Sequence, residues 1–271
     1  MEAKRNRHPE LARVSLENHT RMKILTISKL AMLVAGVLLI SCTKMKNENN
    51  SKPTEDSVVV NMATAVDVKT SYAEVKGRNI AYRSLGSGTP LILCNRYRGI
   101  LDTWDPAFLD AVAKDFNVIT FDYTGFGLST GTPPTDMATF ARDVLDLMEA
   151  LHVQKAVIGG WSFGGLVAQT LIARYPQKAS HGLLIGTGPL GKNQTPIEPI
   201  FYERSSIVDN SLDDETVLFF EPEWAPSRDA AKISHDRIAQ RKTDLDVPVP
   251  KELWINYHKG FADCTADKYG L

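Results

Sequence analysis

The stretch AVIGGWSFGGLVAQ, residues 156–169, constrains the fold more than any other part of the chain. Its opening run is apolar, β-branched and closed by two glycines, which reads as a short buried strand. From Ser162 the pattern turns helical and continues to Tyr175, where Pro176 stops it. Ser162 therefore stands at a strand-to-helix junction, with Gly160 and Gly164 flanking it at two residues' distance. A serine in that place is either a nucleophile or a turn residue. Glycines are needed there in both cases, because larger neighbours would collide with the adjoining strand and helix. The helix that follows aims its partial positive charge at the space in front of the serine, where negative charge would be favoured.

The rest of the chain fits around that junction. SYAEVKGRNIAYRSLG (71–86) reads as a hairpin turning at Lys76-Gly77, and the runs 91–95, 117–122, 155–160 and 181–186 read as buried parallel strands. Between them, Met137, Phe140, Ala141, Val144, Leu145, Met148 and Leu151 recur at helical spacing and make one apolar face. Strands alternating with helices predict an α/β fold, a mostly parallel sheet with helices on both faces. The 271 residues are 43% hydrophobic, enough for a sizeable core. A formal net charge of -1 and no basic patch interleaved with aromatics argue against a nucleic-acid partner. The three cysteines, Cys42, Cys94 and Cys264, have neither the spacing nor the histidine neighbours of a metal site, and Cys94 reads as a small buried hydrophobe. No metal or organic cofactor is implied.

Gly160-Trp161-Ser162-Phe163-Gly164 is a G-x-S-x-G in strand–turn–helix context and resembles the nucleophile elbow of the α/β-hydrolase family. DYTGFGLST (122–130) is similar to a glycine-containing loop of the same family. Its other reading, a phosphate cradle, lacks the helix that should begin at the glycines. LILCNRYRGILDTW (91–104) resembles the family's strand, His-Gly, loop and Trp pattern, with Asn95 and Arg96 standing where His and Gly are usual. The resemblance implies a serine hydrolase acting on an ester, amide or lactone of a small apolar substrate. Ser162 would be the nucleophile, and the backbone N–H groups of Phe163 and Tyr97 would be the oxyanion donors. Arg96 and Arg98 read as solvated loop charges, with contact to an anionic substrate as the sharper alternative.

A serine nucleophile needs a histidine base and a carboxylate behind it, and the resemblance places them after later strands, in the order serine, acid, histidine. Residues 187–271 offer no comparable apolar runs and read as a partly helical lid. Within it, 227–241 reads as a helix capped by Ser227. Trp224, Trp254, Tyr257 and Phe261 either line a hydrophobic entrance or hold the lid to the sheet. His181, His235 and His258 are the downstream histidines, and His258 with Asp263 or Asp267 is the one internal arrangement to consider. The expectation is a hydrolase cut before its acid and histidine strands, inactive or weakly active as it stands. The alternative is a binding-only relative on the same fold.

The N-terminal part reads as an address. Residues 1–21 are polar and unpatterned, an extension ahead of a start at Met22. Residues 22–42 have basic residues, an apolar stretch too short to span a bilayer, and LISC at its end. That ending resembles a bacterial lipobox, which implies lipidation at Cys42, membrane anchoring and an outer-membrane location facing the periplasm. Residues 43–60 read as a tether, 61–190 as the hydrolase core and 191–271 as the lid.

Overall fold

In the computed structural model, which describes residues 63–191 and 197–264, six strands build one mixed sheet. They are β1 (Ser71–Val75), β2 (Arg78–Gly86), β3 (Thr89–Cys94), β4 (Phe116–Phe121), β5 (Ala156–Trp161) and β6 (Ala179–Ile185). Their order is β1-β2-β4-β3-β5-β6. The first two strands run antiparallel to their neighbours, and β4, β3, β5 and β6 are parallel. The hairpin between β1 and β2 turns where the sequence says it should. Lys76 and Gly77 both take positive φ, 50° and 78°, the backbone that suits the twist of a two-residue hairpin.

Seven α-helices follow in chain order among the described residues: α1 (Pro106–Val112), α2 (Met137–Ala150), α3 (Phe163–Arg174), α4 (Pro199–Ser205), α5 (Leu212–Phe219), α6 (Ala225–Ile238) and α7 (Trp254–Asp263). Side chains of β3 alternate between the faces they bury. Ile92 and Cys94 join the core beneath α2 and α3, while Leu91 and Leu93 join the opposite cluster with Trp104, Leu109 and Ala113 around α1. Both faces of β3, β4 and β5 are thus covered, which is why they read as unbroken apolar runs, whereas β6 at the edge is partly exposed. Cys94 is fully buried and free, and burial pushes its thiol pKa up.

The expected helix over 227–241 begins earlier and is capped differently. It starts at Ala225 with Trp224 as N-cap, because Pro226 has no N–H to lose in a first turn. The Ser227 hydroxyl instead accepts the N–H of Glu221. α6 is tied to the core through Asp105, the cap of α1, which receives Arg237 Nε at 2.8 Å and the Ser234 hydroxyl at 2.7 Å. The segments read as extension, export signal with Cys42, and tether lie outside the described residues.

Candidate active site

The elbow is built by backbone crowding. A Cβ on Gly160 would run into the carbonyl oxygen of Gly164, and one on Gly164 into that of Cys94 at the end of β3. Only glycine lets α3 start so close to the sheet. Between the two, Ser162 is held at φ 53°, ψ −117°, a conformation that costs a non-glycine residue about 1–3 kcal/mol. Its N–H is pinned to Ile185 O at 2.8 Å, and its carbonyl accepts the N–H of Gly165 at 2.8 Å.

Ser162 is the N-cap of α3, yet its hydroxyl makes no capping bond. A serine kept only for the turn would accept an N–H of the first helical turn. Ser162 instead lines a narrow cleft of about 30 Å³ together with Arg96, Tyr97, Phe201, Leu218 and Phe219. Among the described residues no acceptor takes the N–H of Phe163 or of Tyr97.

The loop after β3 is held by side chains. Asn95, expected only as a departure from the usual His, is buried. Its amide donates to Phe121 O at 2.8 Å, its Oδ1 accepts Trp104 Nε1 at 2.7 Å, and its carbonyl accepts the Tyr123 hydroxyl at 3.1 Å. Leu101 N donates to two carboxyls at once, Asp122 Oδ1 at 3.2 Å and Asp246 Oδ2 at 2.7 Å. Burial raises the pKa of both aspartates, and the charge of Asp246 raises that of Asp122 further. The glycine loop 122–130 is therefore a structural joint. Ser129 Oγ donates to Asp122 O, Thr124 is held by Asp143, and the next helix begins only at Met137.

Neither arginine is the solvated loop charge expected. Arg98 spends its guanidinium on the carbonyls of Ser205, Ile207 and Val208 and lies 3.9 Å over Trp254. Arg96 lies over Trp161 and Phe219, with ring-centroid distances of 5.2 and 4.8 Å, and one N–H goes to Tyr97 O. The composition of the loop did not show this, because the rings that cover Arg96 come from β5 and α5.

The lid aromatics divide. Tyr257 is fully buried against Phe126, Phe140 and Phe163, and Phe261 packs on Phe163 at 4.9 Å. With Trp254 buried under Arg98, these three hold α7 to the core, whereas Trp224 is exposed. The cleft takes its apolar wall from Phe201, Leu218 and Phe219 instead, residues the sequence did not single out.

No described side chain hydrogen-bonds Ser162 Oγ. His258 is exposed and stands 3.4 Å from the Tyr97 hydroxyl, His235 pairs with Glu215 at 2.6 Å, and His181 is exposed on β6. Asp263 accepts the N–H of Met137 at 3.1 Å and so braces the start of α2; Asp267 lies outside the described residues.

Comparison with known proteins accords with this geometry. The model of the alpha/beta hydrolase fold matches residues 89–253. An alpha/beta hydrolase fold protein from Chitinophaga pinensis superposes with a TM-score of 0.66 at 28% identity, over 74% of this chain and 73% of that one. A proline iminopeptidase, PfmaB of Pestalotiopsis fici, is 31% identical over 125 residues, 44% of each chain. The dihydrolipoyllysine-residue acetyltransferase component of the acetoin cleaving system of Pseudomonas putida is 33% identical over 126 residues, 44% of this chain and 33% of that protein. The chain spans less than half the length of these curated relatives.

Proposed function

The chain belongs to the α/β-hydrolase fold family, and from that premise we propose that it is a hydrolase of esters, amides or lactones working through an acyl-enzyme on Ser162. The observation that carries the reading is the uncapped hydroxyl of Ser162, a residue held at a strained turn where it lines a cleft. In the first step Oγ attacks the substrate carbonyl carbon and gives its proton to a base, and the carbonyl oxygen becomes an oxyanion. The N–H groups of Phe163 and Tyr97 receive that charge, each worth about 3 kcal/mol of barrier. The bond to the leaving group then breaks, and water releases the acyl group from Oγ.

With no described base on Oγ, positioning and oxyanion stabilisation are what these residues supply. Catalysis of that kind amounts to about 10³–10⁴-fold over water. The test is hydrolysis of p-nitrophenyl esters by the chain and by Ser162→Ala, with and without added imidazole as a diffusible base. The reading expects a Ser162-dependent rate that rises with imidazole. Equal rates in the two proteins under both conditions would overturn it and favour the binding-only reading, which the lack of a described base at Oγ and the presence of Asn95 and Arg96 where His and Gly are usual support.

The sequence of residues 22–42 supports export and lipid anchoring at Cys42 to the outer membrane. Incorporation of labelled palmitate in a bacterial host, lost in Cys42→Ala, is the expected outcome.

A further inference from the structure

Among the described residues, several arginines are matched to carboxylates or carbonyls, and Arg96 is matched less well. Arg78 meets Asp143 and Asp146, Arg83 meets Asp102, Arg241 lies between Asp102 and Asp244, and Arg98 is taken up by three carbonyls. Arg96 has no carboxylate within ion-pair distance among the described residues. Its one hydrogen bond runs to Tyr97 O at 2.9 Å, and its Nε is sealed from solvent without a partner. The nearest acid named by its electrostatics, Glu215, is already paired with His235 at 2.6 Å. Burial pulls the Arg96 pKa down to about 10, which still leaves the group charged at neutral pH.

A part-buried cation with a sealed, unpartnered donor is costly unless something compensates it. Rings under a guanidinium offset part of that cost, but they do not accept its in-plane N–H groups. Those groups need oxygen, and a carboxylate fits them best because it can accept two parallel bonds. Arg96 lines the same cleft as Ser162, with Tyr97, Phe201, Leu218 and the Phe219 ring it lies over.

We propose that Arg96 binds a carboxylate on the substrate, so that the cleft takes esters, amides or lactones with an apolar body and one anionic group near the scissile bond. The word substrate rests on the reading of Ser162 as nucleophile; the anion site does not. Arg98 plays no part in binding, because its donors already hold the chain at 205–208. The site refines the apolar substrate implied by the family resemblance: the walls are apolar and the specificity comes from one charge.

The experiment uses Ser162→Ala, so that binding is read without turnover, and two probes of the same shape, 4-methylbenzoate and its neutral amide. Calorimetric titration is expected to show the carboxylate binding at least about tenfold more tightly than the amide, as a charge-assisted bidentate contact implies. Arg96→Gln is expected to abolish the difference while circular dichroism shows a folded protein. Should Arg96→Gln fail to fold, the Nε–H resonance of Arg96 in the otherwise unchanged protein decides. A shift on titration with the carboxylate and none with the amide supports the site. Equal binding of the two probes, binding of neither, or carboxylate preference that survives Arg96→Gln would overturn it. Ester hydrolysis by the unsubstituted chain is read separately. Arg96-dependent anion binding with no Ser162-dependent hydrolysis defeats the nucleophile reading alone, and the reverse result defeats the anion site alone.

Discussion

Two loops at the carboxyl ends of neighbouring strands frame the candidate site, and they are specified in opposite ways. The elbow after β5 is fixed by contacts within five residues and by the strands beside it: Gly160 against Gly164, Gly164 against Cys94, Ser162 N–H against Ile185 O. The loop after β3 is fixed by side chains from all over the chain. Asn95 is clamped by Phe121 and Trp104, Leu101 by Asp122 and Asp246, and Arg98 by residues 205–208. The first kind of loop leaves a local signature that any reader of the sequence can find. The second leaves almost none, because each residue looks ordinary until its distant partner is known.

The comparison breaks most severely at the elbow. Gly164→Ala is expected to cost more than about 4 kcal/mol or to prevent folding, since its Cβ has only backbone to displace, at Cys94 and Asn95. Gly188→Ala, where nothing lies within 4 Å, is expected to change stability by less than about 0.5 kcal/mol. Urea unfolding of the pair measures the contrast. Next is Asn95→Leu, which leaves Trp104 Nε1 and Phe121 O buried without partners and is expected to cost about 2–4 kcal/mol by the same measurement.

A smaller effect comes from the carboxyl pair behind Leu101. Burial, and then the like charge of Asp246, raises the folded-state pKa of Asp122, and burial raises that of Asp246. A carboxyl whose folded pKa lies above its unfolded value binds its proton more tightly in the native state. Unfolding free energy should therefore fall as pH rises from about 4 through the raised values, and level off above them. Asp246→Asn, which leaves a single ionisable carboxyl there, is expected to flatten that fall by about 1 kcal/mol or more in urea titrations across pH 4–8. Smallest is Ser162→Gly, which relieves the positive φ and is expected to stabilise the protein by about 1 kcal/mol in the same assay.

Much of the fold was legible because its central strands β3, β4 and β5 are buried on both faces and α2 on one. The runs around Ile92, Ile119, Ile158 and Leu183 became strands, the hairpin turned at Lys76-Gly77, and the stripe from Met137 to Met148 became one face of α2. Ser162 was legible for the same local reason as its glycines. Asp246 was not, because nothing around it in the chain says that its carboxyl reaches Leu101 and Asp122, 145 and 124 positions away. Nor was Tyr257: helical spacing puts it on a face with other aromatics, and only the packing on Phe163 shows that the face is core. Arg96 was misplaced for the converse reason. An arginine between a polar residue and a tyrosine reads as exposed, and Trp161 and Phe219 cover it from elsewhere.

The central claim is that Ser162 has the posture of a nucleophile, and the most direct test is covalent. The folded chain would be incubated with a fluorophosphonate, the adduct weighed as intact protein and located by peptide mapping. The account predicts a single adduct on the peptide bearing Ser162, formed faster when imidazole is added and absent in Ser162→Ala. A folded chain that takes up no label, or that carries it on any other residue, would contradict it.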